Sequence, residues 1–373
     1  AASDVYKRQD ESHDGRDILA TPEQVRPETA GSLAEQDDLA PDRFEPKETL
    51  RSADHVWDEV DLLEFAQGQI ANVFGQEYAI IDTYARRVRL PMLPYLLVSR
   101  VTKLEARRGQ YKPSFIQTEY DIPQNAWYLV DGQVPLAVAV ESGQCDLLLI
   151  SYLGIDFENK GQLVYRLLDC TLTFLAVLPK AGDTLRYDIR INSFARSGDN
   201  LLFFFSYECF VSDRMILKMD GGCAGFFSDQ DLEHGKGIIV TEKERTERRL
   251  IQKGRFEPLL ACHKSRFDRH DLLQLSQGNL AACFGIAYDQ PGLNSSLRFP
   301  QQAMLMMDRV TSVDVGAGAW GLGLIIAEKD LAPQDWYFPC HFKDDQVLAG
   351  SLMAEGCAQL LQFYLLYLGV QCR

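Results

Sequence analysis

The sequence lacks the features that mark several common classes of protein. Its nine cysteines include no Cys-x-x-Cys pair, which argues against a zinc site or a disulfide framework and predicts a reducing, cytoplasmic setting. No basic stripe with interleaved aromatic residues is present and the net charge is −15, so nucleic-acid binding has no support. No secretory signal is visible. We expect no metal and no cofactor.

Long uninterrupted apolar runs are also scarce. The most apolar segment near the end of the chain, residues 350–369, is broken by Glu355, Gln359 and Gln362, which argues against a membrane span. At the other end, residues 1–60 hold 16 acidic and 7 basic side chains, with few apolar residues. Such a composition cannot bury enough surface to order itself, so residues 1–54 are predicted to be a disordered acidic linker.

The remainder of the chain repeats itself. Residues 61–75 read DLLEFAQGQIANVFG and residues 271–285 read DLLQLSQGNLAACFG, with eight of fifteen positions identical. The register persists as Arg100-Val101-Thr102 matches Arg309-Val310-Thr311 and as Trp127-Tyr128 matches Trp336-Tyr337. This predicts two copies of one domain. We call residues 55–240 the first repeat and residues 263–373 the second repeat, with a charged connector at 241–262.

The first repeat predicts the architecture. A short amphipathic helix at 62–74 precedes strand-like runs at 95–105 and 114–120, and a long apolar helix follows at about 137–153. Four more strand patterns follow at 163–178, 185–194, 201–211 and 214–227. A helix that is hydrophobic on nearly all sides, with strands before and after it, indicates an α+β fold in which an antiparallel sheet wraps around a buried helix. This is the hot-dog arrangement.

The second repeat stops after its own central helix. We expect from this that the chain is a fragment of a larger protein, in which further strands cover that helix. Without them, its apolar side chains are predicted to be under-buried: Leu360, Leu361, Phe363, Leu365 and Leu366. An uncovered apolar patch favours association.

The stretch WYFPCHFKDDQVLAGSLMAEGCAQL at 336–360 indicates a chemistry. It contains His341 in a turn, then Gly350 at the start of a predicted helix, and Glu355 and Gln359 on one face of that helix. A base, a carboxylate and a helix N-terminus with free N–H groups are the parts needed for proton transfer beside a carbonyl. The structural alternative is a buried core helix whose neighbouring histidine is satisfied by backbone partners.

These residues, together with RFPQQAMLMMDRV at 298–310, resemble the signature of the 3-hydroxyacyl-[acyl-carrier-protein] dehydratases of the β-hydroxydecanoyl type. The tandem arrangement most resembles the dehydratase region of bacterial polyunsaturated fatty acid synthases. The resemblance implies an acyl-carrier-protein-bound 3-hydroxyacyl thioester as substrate, neighbouring synthase domains as partners, and dehydration to the trans-2-enoyl product. Two departures affect the turn: Ala349 replaces the usual proline, and Pro339 stands where small residues are common.

The resemblance also implies roles for single residues. His341 corresponds to the catalytic base, Glu355 to the acid and Gln359 to the amide that orients it. Gly350, with Ser351 beside it at the helix start, corresponds to the backbone N–H that faces the thioester oxygen. The carbonyl of Val347 corresponds to the group that holds the histidine ring.

The origin of the acid is open at this point. In dimers of this family the histidine and the acid come from opposite subunits, and the first repeat has no histidine in the matching segment. If the two repeats form a pseudo-dimer, His341 needs an acid from the first repeat, and Glu141 lies within one helix position of the required place. The alternatives are that Glu355 of another chain serves His341, or that Glu141 is only a solvated or capping carboxylate.

Two other functions remain open. A hot-dog thioesterase would use a carboxylate to activate water and would not need the Cys-His-Phe turn. A non-catalytic structural or docking module of a larger synthase would fit a first repeat whose matching segment has no histidine.

Overall fold

A six-stranded antiparallel sheet and the helices packed against it dominate the structure. The computed structural model describes residues 56–197, 200–235, 240–250, 254, 257–293 and 297–372, and the predicted linker at 1–54 lies outside these ranges. The strands of the first repeat are β1 (Arg100–Glu105), β2 (Ser114–Asp121), β3 (Val164–Phe174), β4 (Thr184–Ser197), β5 (Asn200–Val211) and β6 (Arg214–Phe227). They are ordered β1-β2-β4-β5-β6-β3. The second repeat contributes a two-stranded sheet of β7 (Arg309–Asp314) and β8 (Leu324–Glu328).

The helices follow the same division. Those of the first repeat are α1 (Glu59–Gln67), α2 (Ile70–Phe74), α3 (Leu136–Glu141), α4 (Asp146–Leu153), α5 (Ile155–Asn159) and α6 (Asp229–Glu233). Helix α7 (Glu242–Leu250) lies in the predicted connector. The second repeat contains α8 (Arg269–Ser276), α9 (Leu280–Phe284), α10 (Tyr337–Cys340) and α11 (Gly350–Tyr367).

The large sheet encloses helix α4. Alternate residues of β2 and of β4 point inward, as the period of two requires: Ser114, Ile116, Thr118 and Tyr120 on β2, and Leu185, Tyr187, Ile189 and Ile191 on β4. A register shift between Ile191 and Ser193 marks a bulge in the pairing of β4 with β5, the kind of irregularity that bends a strand. All residues of α4 except Tyr152 are buried. The predicted α+β hot-dog arrangement is therefore present.

The predicted continuous helix at 137–153 is wrong in one respect, because it is interrupted after Glu141. The Tyr187 hydroxyl donates to the Ala139 carbonyl, 2.5 Å away, which is the carbonyl that an unbroken helix would offer to the N–H of Gly143. That N–H turns to the Val140 carbonyl instead. A Cβ at Gly143 would lie 2.7 Å from the Tyr207 ring, so only glycine lets this ring approach so closely.

Strand limits also differ from the predicted ones. The strand predicted at 95–105 begins at Arg100, because the preceding segment turns at Tyr95, whose N–H donates to the Met92 carbonyl. In the second repeat, the Met306 N–H donates to the Gln359 side chain at 2.9 Å, so β7 begins only at Arg309.

Local structures recur at the spacing of the sequence repeat. Asp58 and Asp61 form a capping box at α1, and Asp268 and Asp271 form one at α8. In each repeat a tyrosine of the short helical turn after the second helix donates to the central helix: the Tyr78 hydroxyl to the Tyr152 carbonyl and the Tyr288 hydroxyl to the Tyr367 carbonyl, both at 2.5 Å. The arginine that begins the first strand of each repeat also has matching partners, as Arg100 pairs with Glu119 and Asp121, and Arg309 with Glu328 and Asp330.

Helix α11 joins two hydrophobic clusters. Its first turn, with Leu352, lies in the core that belongs mainly to the first repeat. Its last turns, with Phe363 and Leu366, pack against Phe267 and Phe284 of the second repeat. Phe363 and Leu366 are therefore buried, which corrects their predicted under-burial. Leu361 and Leu365 are exposed as predicted, at 60% and 43%, and Leu360 is half-buried.

One stretch of the described chain, Leu136–Leu153, is long and apolar enough to resemble a membrane span by length and composition. Of this window, 89% is buried inside the protein, and it is the interrupted pair α3 and α4 within the core. Helix α7, in the connector, has exposed charged side chains over 242–247, as the EKERTE sequence predicts.

Candidate active site

His341 lies at the end of α10, in a turn that fixes both its backbone and its ring. The backbone N–H of His341 donates to the Tyr337 carbonyl, and its carbonyl accepts from the Val347 N–H at 2.8 Å. The ring nitrogen Nδ1 lies 2.8 Å from the Val347 carbonyl oxygen. Since a carbonyl can only accept, Nδ1 carries a proton and Nε2 of the neutral ring is free to act as a base. The side chain is only 9% exposed.

The carboxylate opposite this ring belongs to the first repeat. Glu141, the last residue of α3, places Oε1 3.5 Å from Nε2 of His341. It is 8% exposed, so the interpretation of Glu141 as a solvated carboxylate is wrong. Its second oxygen, Oε2, accepts a hydrogen bond of 2.6 Å from the Ser351 hydroxyl. An imidazole and a carboxyl group from different repeats therefore face one another.

The two carboxylates occupy equivalent places on two contacting helices. Glu141 is the sixth residue of α3 and Glu355 is the sixth residue of α11, and these helices pack against each other. Oε2 of Glu355 accepts from the Ala137 N–H at 3.1 Å, near the start of α3. Each carboxylate thus reaches the N-terminus of the opposite helix, Glu141 at Ser351 and Glu355 at Ala137.

Gln359 fixes Glu355 from the next turn of α11. Its amide nitrogen donates to Oε1 of Glu355 at 2.9 Å and to the Met304 carbonyl at 2.8 Å. Both side chains are buried. Within this chain Glu355 is therefore engaged with α3 and with Gln359, and Glu141 is the carboxylate that His341 meets.

Helix α11 begins beside the histidine without a side-chain cap. Its N-cap residue, Ala349, makes no side-chain hydrogen bond, and the N–H groups of Gly350 and Ser351 belong to the first turn, which has no intrahelical acceptors. Apart from its chain neighbours and the backbone of its own helix, no described atom lies within 4 Å of where a Cβ on Gly350 would stand. The helix start therefore offers N–H groups and the positive end of the helix dipole to an oxyanion.

Charged residues of the first repeat hold the turn that follows His341. Nε of Arg89 lies 2.7 Å from Asp344, and the Arg89 guanidinium, fully buried, also donates to the Phe65 and Gly68 carbonyls. Arg166 on β3 binds Asp345 through both of its terminal nitrogens. We call these two ion pairs the turn clamp. They tie the histidine turn to the repeat that supplies Glu141.

The other described histidines and the basic side chains near the start of the second repeat do not join this site. His234 is exposed, as is His263, and no structure is described for His13 and His55. Within the basic cluster near the start of the second repeat, Lys264 pairs with Asp271, and Arg269 pairs with Asp308. In the part of the chain that the structure describes, no group of three or more His, Cys, Asp or Glu side chains could hold a metal ion.

Comparisons with known proteins bear on the same region. Residues 299–373 match the profile of the FabA-like domain family. They form a FabA-like domain. The chain is also 45% identical, over 331 residues and 87% of its length, to one component of the polyunsaturated fatty acid synthase of Thraustochytrium sp.. It spans 22% of the length of that relative. The resemblance to dehydratases of this type and to polyunsaturated fatty acid synthases is thereby confirmed.

Solved structures give only a distant likeness. The dehydratase heterocomplex ApeI:P from Xenorhabdus doucetiae is 10% identical, with a TM-score of 0.28 over 45% of this chain and 95% of that one. The E. coli PaaI protein is 13% identical, with a TM-score of 0.23 over 34% of this chain and 79% of that one.

Several residues of the first repeat that surround the FabA-like site do not stand out in the sequence. The strand pattern includes Tyr95, and it assigns no role to Arg89 or Arg166. For the clamp a signal is available, because two adjacent acids, Asp344 and Asp345, follow His341 and call for cationic partners. For Tyr95 the sequence offers no such signal, because the matching position of the second repeat is a methionine, Met304.

Proposed function

We propose that this chain carries the site for dehydration of a 3-hydroxyacyl thioester to the trans-2-enoyl thioester. The observation that carries the proposal is the facing pair of His341 and Glu141, 3.5 Å apart beside the uncapped start of α11. Nε2 of His341 takes the C2 proton, and protonated Glu141 gives its proton to the C3 hydroxyl, which leaves as water. The electron pair of the C2–H bond becomes the C2=C3 double bond, so atoms and charge balance.

The helix start serves the thioester carbonyl. As the C2 proton leaves, negative charge grows on the carbonyl oxygen, and the N–H groups of Gly350 and Ser351 are placed to receive it. Removing one such donor in other enzymes costs about 10²–10³ in rate. Val347 supports the reaction indirectly, since its carbonyl keeps the proton of His341 on Nδ1 and leaves Nε2 unprotonated.

Glu141, supplied across the repeats, is the acid in this proposal, and Glu355 is a structural carboxylate. The two repeats then act as a pseudo-dimer: 263–373 provides the histidine turn and the helix start, and 55–240 provides the acid. The contact of Trp127 with Trp336, at 4.9 Å between ring centroids, and the hydrogen bond from the Met92 N–H to the Cys340 carbonyl support this pairing.

The proposed substrate and partners are those that the family resemblance implies. We propose that the acyl group arrives on an acyl carrier protein and that neighbouring synthase domains supply the 3-hydroxyacyl chain and consume the enoyl product. A cytoplasmic setting is supported by the nine cysteines, all of which are free thiols.

The decisive experiment supplies the full-length protein with a 3-hydroxyacyl-acyl carrier protein and follows the enoyl thioester and the free acid by mass spectrometry. We expect enoyl product. Free acid alone would establish the thioesterase alternative, and no change in the substrate would leave the docking-module alternative.

A further inference from the structure

A buried hydrogen-bond chain leads from the first repeat to the proposed acid. The Tyr95 hydroxyl lies 2.9 Å from Oγ of Ser351, and the Ser351 hydroxyl donates to Oε2 of Glu141 at 2.6 Å. Tyr95 is fully buried, and Ser351 is 6% exposed. The Tyr95 ring packs edge-on to Trp336 at 5.5 Å and lies 6.5 Å from the His341 ring. The proposed proton transfers do not themselves involve Tyr95.

Counting the available protons shows which hydroxyl donates in each of these hydrogen bonds. A hydroxyl has one proton, and that of Ser351 points to Glu141. Ser351 must therefore accept from Tyr95, whose phenol is the donor. Burial raises the pKa of Tyr95 far above its ordinary value, so the phenol keeps this proton over the whole working pH range.

We infer that Tyr95 is a positioning residue that acts through Ser351 to determine which oxygen of Glu141 carries the acidic proton. Because Oε2 accepts from Ser351, a proton bound to Glu141 resides on Oε1, the oxygen that faces His341. The acidic proton is thereby held on the same side of Glu141 as the Nε2 atom of His341, so that both groups can face C2 and C3 of one substrate. This inference rests on the proposed function and adds a residue to it.

The equivalent helix start, at α3, lacks such a pair of tyrosine and serine. At the start of α3 the position of Ser351 is taken by Ala137, and Glu355 is bound there by a backbone N–H instead of a hydroxyl. The position of Tyr95 is taken by Met304 in the second repeat. We call the hydrogen bonds from Tyr95 through Ser351 to Glu141 the relay. Of the two carboxylates, only Glu141, which meets a histidine, has it.

The test is Tyr95→Phe in the full-length protein, with Tyr120→Phe as the matched control. Tyr120 is also buried in the first repeat, and its hydroxyl makes an equivalent bond of 2.6 Å to the Tyr128 hydroxyl, away from the site. We expect Tyr95→Phe to lower kcat about three- to tenfold with little change in KM, as for loss of a hydrogen bond between two neutral groups. We expect Tyr120→Phe to leave both constants unchanged.

The pH profile separates positioning from packing. Without the Tyr95 phenol behind it, the Ser351 hydroxyl is a weaker donor to the ionised carboxylate. The limb of the kcat/KM profile that belongs to Glu141 should therefore move to higher pH in Tyr95→Phe, while the histidine limb stays. Several titratable groups face Glu141: His341 and Cys340 of the turn, Tyr95, Cys145, Asp146, Tyr165 on β3 and Tyr207 on β5. All of these except Tyr95 are retained in the variant, so the shift reports on the relay.

Two failures remain distinguishable. If Glu141→Gln abolishes dehydration while Tyr95→Phe matches the wild type in kcat and in pH profile, the inference about Tyr95 is overturned and the proposed function stands. If Glu141→Gln is as active as the wild type, the assignment of Glu141 as the acid fails, and if the wild type forms no enoyl product, the proposed function itself fails. An infrared titration of the carboxyl band that Glu141→Gln removes tests the relay without turnover: an unchanged midpoint in Tyr95→Phe would refute it.

Discussion

The central helices of the two repeats both begin where the repeats contact each other, but the rest of each helix has different surroundings. Around α3 and α4 the sheet of the first repeat forms a cover, and Ala139 and Ile150 are buried. On α11 the corresponding positions belong to a stripe that faces outward: Met353, Cys357, Leu361 and Leu365. A helix can thus keep its site at the N-terminus while one of its faces remains exposed, because the opposite face packs against both repeats.

The comparison also shows which parts of the candidate site each repeat supplies. The first repeat supplies the large sheet, the proposed acid Glu141 and both arginines of the turn clamp, whereas the second supplies His341 and the helix start. A repeat whose matching turn lacks a histidine is therefore part of the site through its carboxylate and its cations.

The largest effect is expected from removing the base. His341→Asn should lower kcat by about 10³-fold or more, because general-base catalysis contributes about 10²–10⁴ and no other described imidazole lies at the site. The enoyl product is measured under single-turnover conditions. His234→Asn, at an exposed histidine after α6 whose ring lies 2.8 Å from the Gln230 carbonyl of that helix, is the control. Retention of activity in His341→Asn would remove the basis for dividing the site between the repeats.

The two carboxylates provide the sharpest comparison. Glu141→Gln should lower kcat by about 100-fold or more because it removes the proton donor that faces His341. Glu355→Gln should cost less than about tenfold, since Glu355 binds the Ala137 N–H and Gln359 instead. Both variants are compared by kcat and by thermal unfolding. The reverse order of effects would mean that Glu355 of another chain is the acid.

Because the two central helices have different surroundings, substitutions at equivalent positions should lower the free energy of unfolding by different amounts. Ile150→Ala removes a fully buried side chain beneath the sheet and should cost about 2–5 kcal/mol. Leu365→Ala, at the equivalent place on α11, removes a side chain that is 43% exposed and should cost less than about 1 kcal/mol. Urea unfolding of the two variants measures the difference. Equal costs would show that the stripe on α11 is covered in solution.

The turn clamp should give the smallest effect. Arg166→Gln and Asp345→Asn should each lower kcat a few-fold, with a coupling free energy of about 1 kcal/mol in a double-mutant cycle, because the pair is about one-fifth exposed. The pair of Arg196 and Glu158, which is more exposed and lies outside the turn, is the control cycle. Additive effects of Arg166→Gln and Asp345→Asn on kcat would show that the clamp does not position the histidine.

Much of the fold could be predicted because its signals are local. The alternating strands at 114–120 and 185–194 and the helix after Gly350 have periodic patterns that need no partner to be recognised. The interruption at Gly143 could not be predicted, because its cause is the Tyr187 hydroxyl, which reaches a carbonyl 48 residues away in the chain. The burial of Phe363 could not be predicted for the same reason, since Phe267 and Phe284 pack on it from a distant part of the sequence.

By itself the sequence determined the repeat, the class of fold and the histidine turn, since identity at a fixed spacing and short-range periodicity are properties of the chain alone. Only the tertiary structure decided which carboxylate meets His341. Glu141 and Glu355 hold equivalent positions on similar helices, and nothing in their local sequence distinguishes an acid that faces a base from one that caps a helix. That distinction arises where α3 and α11 pack together, because contact across the pair places each carboxylate at the other helix's start, and only one of those starts lies beside a histidine.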